Sequence, residues 1–332
     1  MNRFARFSWS VLAINVAVIV WGAFVRASGS GAGCGSHWPL CNGEVMPRAP
    51  KIATVIELTH RVTSGFALVL VFAMAVWAWR AFPKGSPVRA SATWSAAFMA
   101  GEAAIGAGLV LFELVAHDAS VKRALSMSLH LTNTFFLLAA LVLTAWWASD
   151  GSSAATRPGL RLRAQGAVPW LLALPVLGLL VVGTSGAVAA LGDTLWPARS
   201  LADGLSQDFT VGAHLFLRLR ILHPFLAGGT AAALVVVAAV VRTLRPDARV
   251  RRASYAVTLL LLAQIGVGLL NLALLAPVWM QLVHLLLADF VWLALVLLAA
   301  TALANDAASQ SASSSSSERG ASSALASPRS AI

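Results

Sequence analysis

Residues 53–79 read ATVIELTHRVTSGFALVLVFAMAVWAW. Past Glu57, His60 and Arg61, the run carries no ionisable side chain. At about 1.5 Å per residue it is long enough to cross a hydrocarbon core of roughly 30 Å. A helix is the expected form, because it satisfies its backbone polar groups within one segment. Seven more runs of this kind follow the same reasoning: Phe7–Val25, Ala92–Val115, Ala124–Trp147, Val168–Ala190, Ala213–Val241, Ala253–Ala276 and Pro277–Leu303. The chain therefore reads as an all-α integral membrane protein with eight transmembrane helices. The first run is expected to be a span rather than a cleaved leader, since no clear cleavage site follows it. The last two runs meet at Ala276-Pro277, where proline ends one helix and suits the first turn of the next.

Composition agrees. Hydrophobic residues make up 58% of the chain and charged residues 11%, against about a quarter charged in a soluble domain. The net charge of +11 does not point to nucleic acid, because the charges sit in short loops between apolar runs. With the N-terminus inside, inner segments hold fifteen Lys and Arg and outer segments six. That bias predicts both termini in the cytoplasm. From Asn305 the tail is rich in Ser and Ala, and residues 305–332 are expected to be disordered.

The two halves resemble each other. AAIGAGL at 103–109 matches AQIGVGL at 263–269, His130 matches His284, and His60 matches His223. Four spans per half keep both halves in the same orientation. The expectation is two pseudo-symmetric four-helix bundles, residues 1–150 and 151–304, related by an axis along the membrane normal.

Four histidines carry the chemistry. His60, His130, His223 and His284 each lie about 6 to 10 residues into an even-numbered span. All four therefore share one depth, in the outer half of the bilayer. An imidazole in hydrocarbon needs a partner and marks a candidate functional site. Each could simply bond a neighbouring helix. Two bis-histidine sites, one per half, explain the shared depth better. Zinc or copper would need further Cys or His ligands, which each pair lacks. Haem needs only axial ligands, and its apolar ring suits a bundle interior.

Glu57 precedes His60 by about one helical turn, so they share a face. It could move protons, fix the histidine tautomer or pair with Arg61. The position matching Glu57 in the second half is Arg220, which could meet haem propionates or snorkel to the interface. Glu102 and Asp289 also lie in spans, where each could serve proton movement or bond a neighbouring helix. The first outer loop, GSGAGCGSHWPLCNG at 29–43, holds the chain's two cysteines, Cys34 and Cys41. They can close a disulfide, either a staple or a redox pair.

GAFVRASGSG at 22–31, then WPLCNG at 38–43, then ELTHR at 57–61 together resemble the haem A synthase family, bacterial type. The resemblance covers roughly residues 8–303. It implies oxidation of the C8 methyl of haem O to a formyl group by successive hydroxylations, giving haem A for cytochrome oxidase. It also implies that His60 and His130 hold the substrate haem, with Glu57 as acid/base group. His223 and His284 would ligate a haem b cofactor, and Cys34 and Cys41 would form the outer disulfide. Haem O synthase would be the upstream partner, alongside an unidentified electron acceptor or donor, in the plasma membrane of a bacterium. A homo-oligomer is compatible with this reading. One departure stands out: some bacterial members carry a second cysteine pair, and the loop at 191–212 has none.

The same histidines could serve a di-haem b-type transmembrane electron carrier. A carrier places its haems at two depths, whereas these four lie toward one side. A transporter would suit the repeat, yet no paired Gly/Pro interruptions break two helices near mid-membrane.

Overall fold

A computed structural model describes residues 1–149, 160 and 165–303. The tail at 305–332 and Arg157, Arg161 and Arg163, which enter the charge bias, lie outside the described residues. The described residues are all-helical apart from one isolated bridge between Cys41 and Glu44. The long helices are α1 (Arg3–Ala27), α2 (Ile52–Ala81), α3 (Pro87–Leu111), α4 (Val121–Ala148), α5 (Val168–Leu195), α9 (Ala248–Ala273) and α10 (Val278–Leu303). The remaining span is α7 (Leu215–Arg220) followed by α8 (Leu222–Leu244), and a short α6 (Leu201–Phe209) precedes it. Among the described residues, eight helical stretches are long and apolar enough to cross a membrane.

The ends of these helices have local causes. Side chains of Asn2, Ser86, Ser120 and Asp247 accept backbone N–H groups in the first turns of α1, α3, α4 and α9. Each satisfies a donor the helix leaves orphaned. Pro87 at the start of α3 lacks an N–H where none is needed. Between α9 and α10 the turn is made by Leu275 and Ala276, both with positive φ (63° and 52°). Ala276 donates to Asn271 O at 2.8 Å, closing the end of α9.

The sixth span differs from the single run expected. It breaks at Ile221, between α7 and α8. Pro224 supplies the reason: it has no N–H to donate to the Arg220 carbonyl, and its ring crowds that oxygen.

Neighbour relations place the site. In the first half, α1 packs on α2, α2 on α3, α3 on α4 and α4 on α1. In the second, α5 packs on α8, α8 on α9, α9 on α10 and α10 on α5. In each ring the histidine-bearing helices are non-adjacent: α2 and α4, then α8 and α10. The halves meet through α4 against α5 and α10, and α1 against α10. At that seam Trp292 Nε1 donates to Phe135 O at 2.6 Å, and the two rings stack at 5.0 Å. Arg26, at the end of α1, donates to Ala190 O (3.0 Å) and Thr194 Oγ1 (2.9 Å) on α5, and to Gln281 Oε1 (2.9 Å) on α10. In lipid, association rests on such bonds and on close packing rather than on apolar burial.

Candidate functional site

Each of the four histidines is half-buried and packs against a glycine on the preceding span. A Cβ on Gly22 (α1) would lie 2.8 Å from His60 Cε1 (α2). On Gly186 (α5) it would lie 3.0 Å from His223 Cε1, and on Gly268 (α9) 2.9 Å from His284 Cε1. On Gly106 (α3) the nearest atom is His130 Nε2 at 3.6 Å. At Gly22, Gly186 and Gly268 the absent side chain is what lets the imidazole lie so close to the neighbouring helix, whereas at Gly106 a methyl group would make ordinary contact.

The ring centroids of His223 and His284 lie 6.4 Å apart with planes at 87°, an edge-to-face relation. Two iron–nitrogen bonds of roughly 2 Å, plus about 1.1 Å from each nitrogen to its ring centre, require roughly 6 Å. The pair thus fits two axial ligands of one haem iron. Among the described residues no three His, Cys, Asp or Glu side chains converge as a metal cage. The Nδ1 atoms of His60 and His284 are buried without a hydrogen-bond partner. His223 Nδ1 meets Ser185 Oγ at 3.0 Å, and Gln264 Nε2 lies 3.4 Å from His284 Nε2.

Around His60 the outer loop is built onto α2. Cys34 and Cys41 are joined as a disulfide. Gly33 lies so close to α2 that a Cβ there would sit 2.4 Å from the Ala53 carbonyl, and Thr54 Oγ1 donates to Gly33 O at 2.7 Å. This seats Cys34, whose N–H donates to Glu57 Oε2 at 2.8 Å. Glu57 is 3% exposed. Its Oε1 pairs with Arg61 at 2.5 Å, and Arg61 donates onward to the loop carbonyls of His37 (2.5 Å) and Leu40 (2.6 Å). Pairing with Arg61, one of the roles open to Glu57 from sequence, is therefore formed. The link to Cys34 was invisible in sequence, because a backbone donor leaves no compositional trace.

Arg220 does not stand free beside His223. It pairs with Asp193 at 3.2 Å and Asp208 at 2.6 Å, and donates to Gly204 O at 3.1 Å. Burial pushes the Asp208 carboxyl above its usual range, and the Arg220 guanidinium only partly offsets this. Glu102 meets His130 Nδ1 at 3.1 Å. Asp289 is fully buried, and neither carboxylate oxygen has a partner.

Known proteins similar to this chain identify its family. Over 272 residues the chain is 51% identical to "Protoheme IX farnesyltransferase" of Thermus thermophilus, covering 82% of this chain and 44% of that protein. It is 41% identical over 97 residues to "Heme A synthase" of Halalkalibacterium halodurans, covering 29% of this chain and 33% of that protein. It is 39% identical over 95 residues to the protein of the same name from Alkalihalophilus pseudofirmus, covering 29% and 32%. The chain thus spans less than half the length of these curated relatives. The model of the cytochrome oxidase assembly protein family (COX15-CtaA) matches residues 5–296. A match along nearly the whole helical region, on a chain whose helices bring four histidines into glycine-lined contacts, means that this protein belongs to that family.

Proposed function

We propose that this chain makes haem A, oxidising the C8 methyl of haem O to a formyl group by successive hydroxylations. The carrying observation is the set of four histidines in two pairs, each pair on helices that are non-adjacent within their half and each ring packed against a glycine, in a chain of this family. In this reading residues 1–150 form the substrate half and residues 151–304 the cofactor half, as pseudo-symmetric bundles. His60 and His130 hold haem O as substrate. His223 and His284 hold haem b, which supplies one-electron transfer when bound. The 6.4 Å spacing of that second pair supports the assignment.

The residues then have separable tasks. Gly22 and Gly186 leave room for the imidazoles of His60 and His223. Glu57 is the acid/base group, buried one turn from His60 and oriented by the Cys34 N–H and Arg61. The disulfide loop covers the start of α2 and limits water at that carboxylate.

Similarity to relatives named for farnesyl transfer to protohaem IX supports haem O synthase as the partner that supplies the substrate. The orientation in this reading has both termini cytoplasmic, in the bacterial cell membrane.

The test is to express the chain with a source of haem O, extract the haems, and identify them by chromatography and mass. Haem A or its hydroxylated intermediate is expected. Recovery of haem b and unmodified haem O alone, with an active partner present, would overturn the proposal in favour of a di-haem electron carrier.

A further inference from the structure

Glu102 lies on α3 with its side chain 13% exposed, and its Oε2 is 3.1 Å from His130 Nδ1. The carboxylate is held from several directions. Asn133 Nδ2 donates to Oε1 at 2.6 Å, and Thr134 Oγ1 reaches both oxygens at 3.1 Å. Asn133 is itself held to the Phe98 carbonyl at 2.8 Å. Three side chains from one stretch of α4 therefore converge on one carboxylate of α3. An Nδ1–H turned toward Glu102 would leave the lone pair of His130 on Nε2. That atom faces Gly106, one turn along α3 from Glu102.

Among the described residues, His130 alone of the four has a carboxylate on its ring. His223 Nδ1 meets a hydroxyl, and the Nδ1 atoms of His60 and His284 have no partner. In the second half the residue near the equivalent histidine, His284, is the neutral amide Gln264. The histidine-facing glycines Gly106 and Gly268 stand in the same register as Glu102 and Gln264. The AAIGAGL/AQIGVGL match runs two residues out of step with that register, so it hides the correspondence.

A carboxylate that accepts the distal N–H of a ligating imidazole fixes the ring and raises its basicity. A more basic axial ligand stabilises ferric iron and lowers the reduction potential. We propose that Glu102 is a positioning residue that holds His130 with Nε2 directed at iron and makes the first-half haem more electron-rich than it would be without that carboxylate. This rests on the reading of His130 as a haem ligand.

The test uses the full chain, purified with haem b as the probe in both halves, and redox titration followed by absorbance. His284→Ala and His130→Ala backgrounds isolate the first-half and second-half haems in turn. Glu102→Gln is expected to raise the midpoint potential of the first-half haem and leave that of the second unchanged. If the substitution lowers occupancy, the potential is read on the bound fraction. An unchanged or lowered first-half potential overturns the proposal. A first-half haem whose content and spectrum survive His130→Ala sinks the ligand assignment itself, a result distinct from a failure of tuning.

Discussion

The backbone N–H of Cys34 donates to Glu57 Oε2 at 2.8 Å, tying the disulfide loop to the helix turn before His60. A hydrogen bond to a charged group contributes about 1.5–3 kcal/mol. Glu57→Ala removes it and leaves Arg61 without its acid partner. The melting temperature should fall by roughly 3–12 °C, from the about 2–4 °C per kcal/mol that applies to larger domains. Conversion of haem O should stop while the second-half haem stays bound. Full conversion at an unchanged melting temperature would show that Glu57 serves neither role.

Alanine at His223 or His284 should each abolish the second-half haem, leaving the first-half site able to bind. The measurement is haem content per chain and the low-spin absorption bands of each variant. A second-half signal at wild-type strength in either variant counts against the pair as ligands.

The glycines make a graded prediction. Cβ atoms at Gly22 and Gly268 would come within 2.8 and 2.9 Å of His60 and His284, whereas at Gly106 the nearest approach to His130 is 3.6 Å. Gly22→Ala and Gly268→Ala should each weaken haem retention at their own site, and Gly106→Ala should be tolerated. Equal behaviour of the three in a haem-transfer assay to apomyoglobin would remove the packing argument.

Arg220→Leu strips the counter-ion from Asp193 and Asp208. Breaking a buried pair from one side costs about 3–5 kcal/mol. The lower end applies, because the Asp193 side chain is 31% exposed. Adding Asp208→Asn should recover part of the loss in a thermal melt, and no recovery would mean that the two do not interact.

Asp208 also carries a pH signature. Burial raises its carboxyl in the folded chain, so the folded state holds that proton more tightly than the unfolded one. Stability from this group is fully present below the usual carboxylate value and is lost as pH rises from there through the raised folded-state value. Asp208→Asn should flatten that part of the stability profile. An unaltered slope would contradict the direction of the shift.

Much of the fold is legible in the primary structure because hydrophobicity over a membrane thickness is a local property. The run at 53–79 needs nothing outside itself to read as a span, and α2 covers it from Ile52 to Ala81. The depth of His60 within its helix follows from the same counting. The break at Ile221 is less visible, since Pro224 within an apolar run marks a disturbance without saying whether the helix bends or divides.

The candidate site divides in the same way. Residue type singled out His60, His130, His223 and His284, because an imidazole is costly in lipid wherever the helix sits. Residue type marks Glu102 as well, but its meaning depends on which face of α3 turns toward α4. Nor does residue type say that Arg26, at the end of α1, ties that helix to α5 and α10.

The amino-acid order by itself determined which segments are helical, their lengths, and the depth of each histidine, because helix rise and backbone self-satisfaction act within one segment. The tertiary structure alone decided what meets what: Glu102 with His130, Cys34 with Glu57, each imidazole with its glycine. Those contacts depend on the rotation of each helix about its axis and on its neighbours, which packing sets across distances the local sequence does not encode.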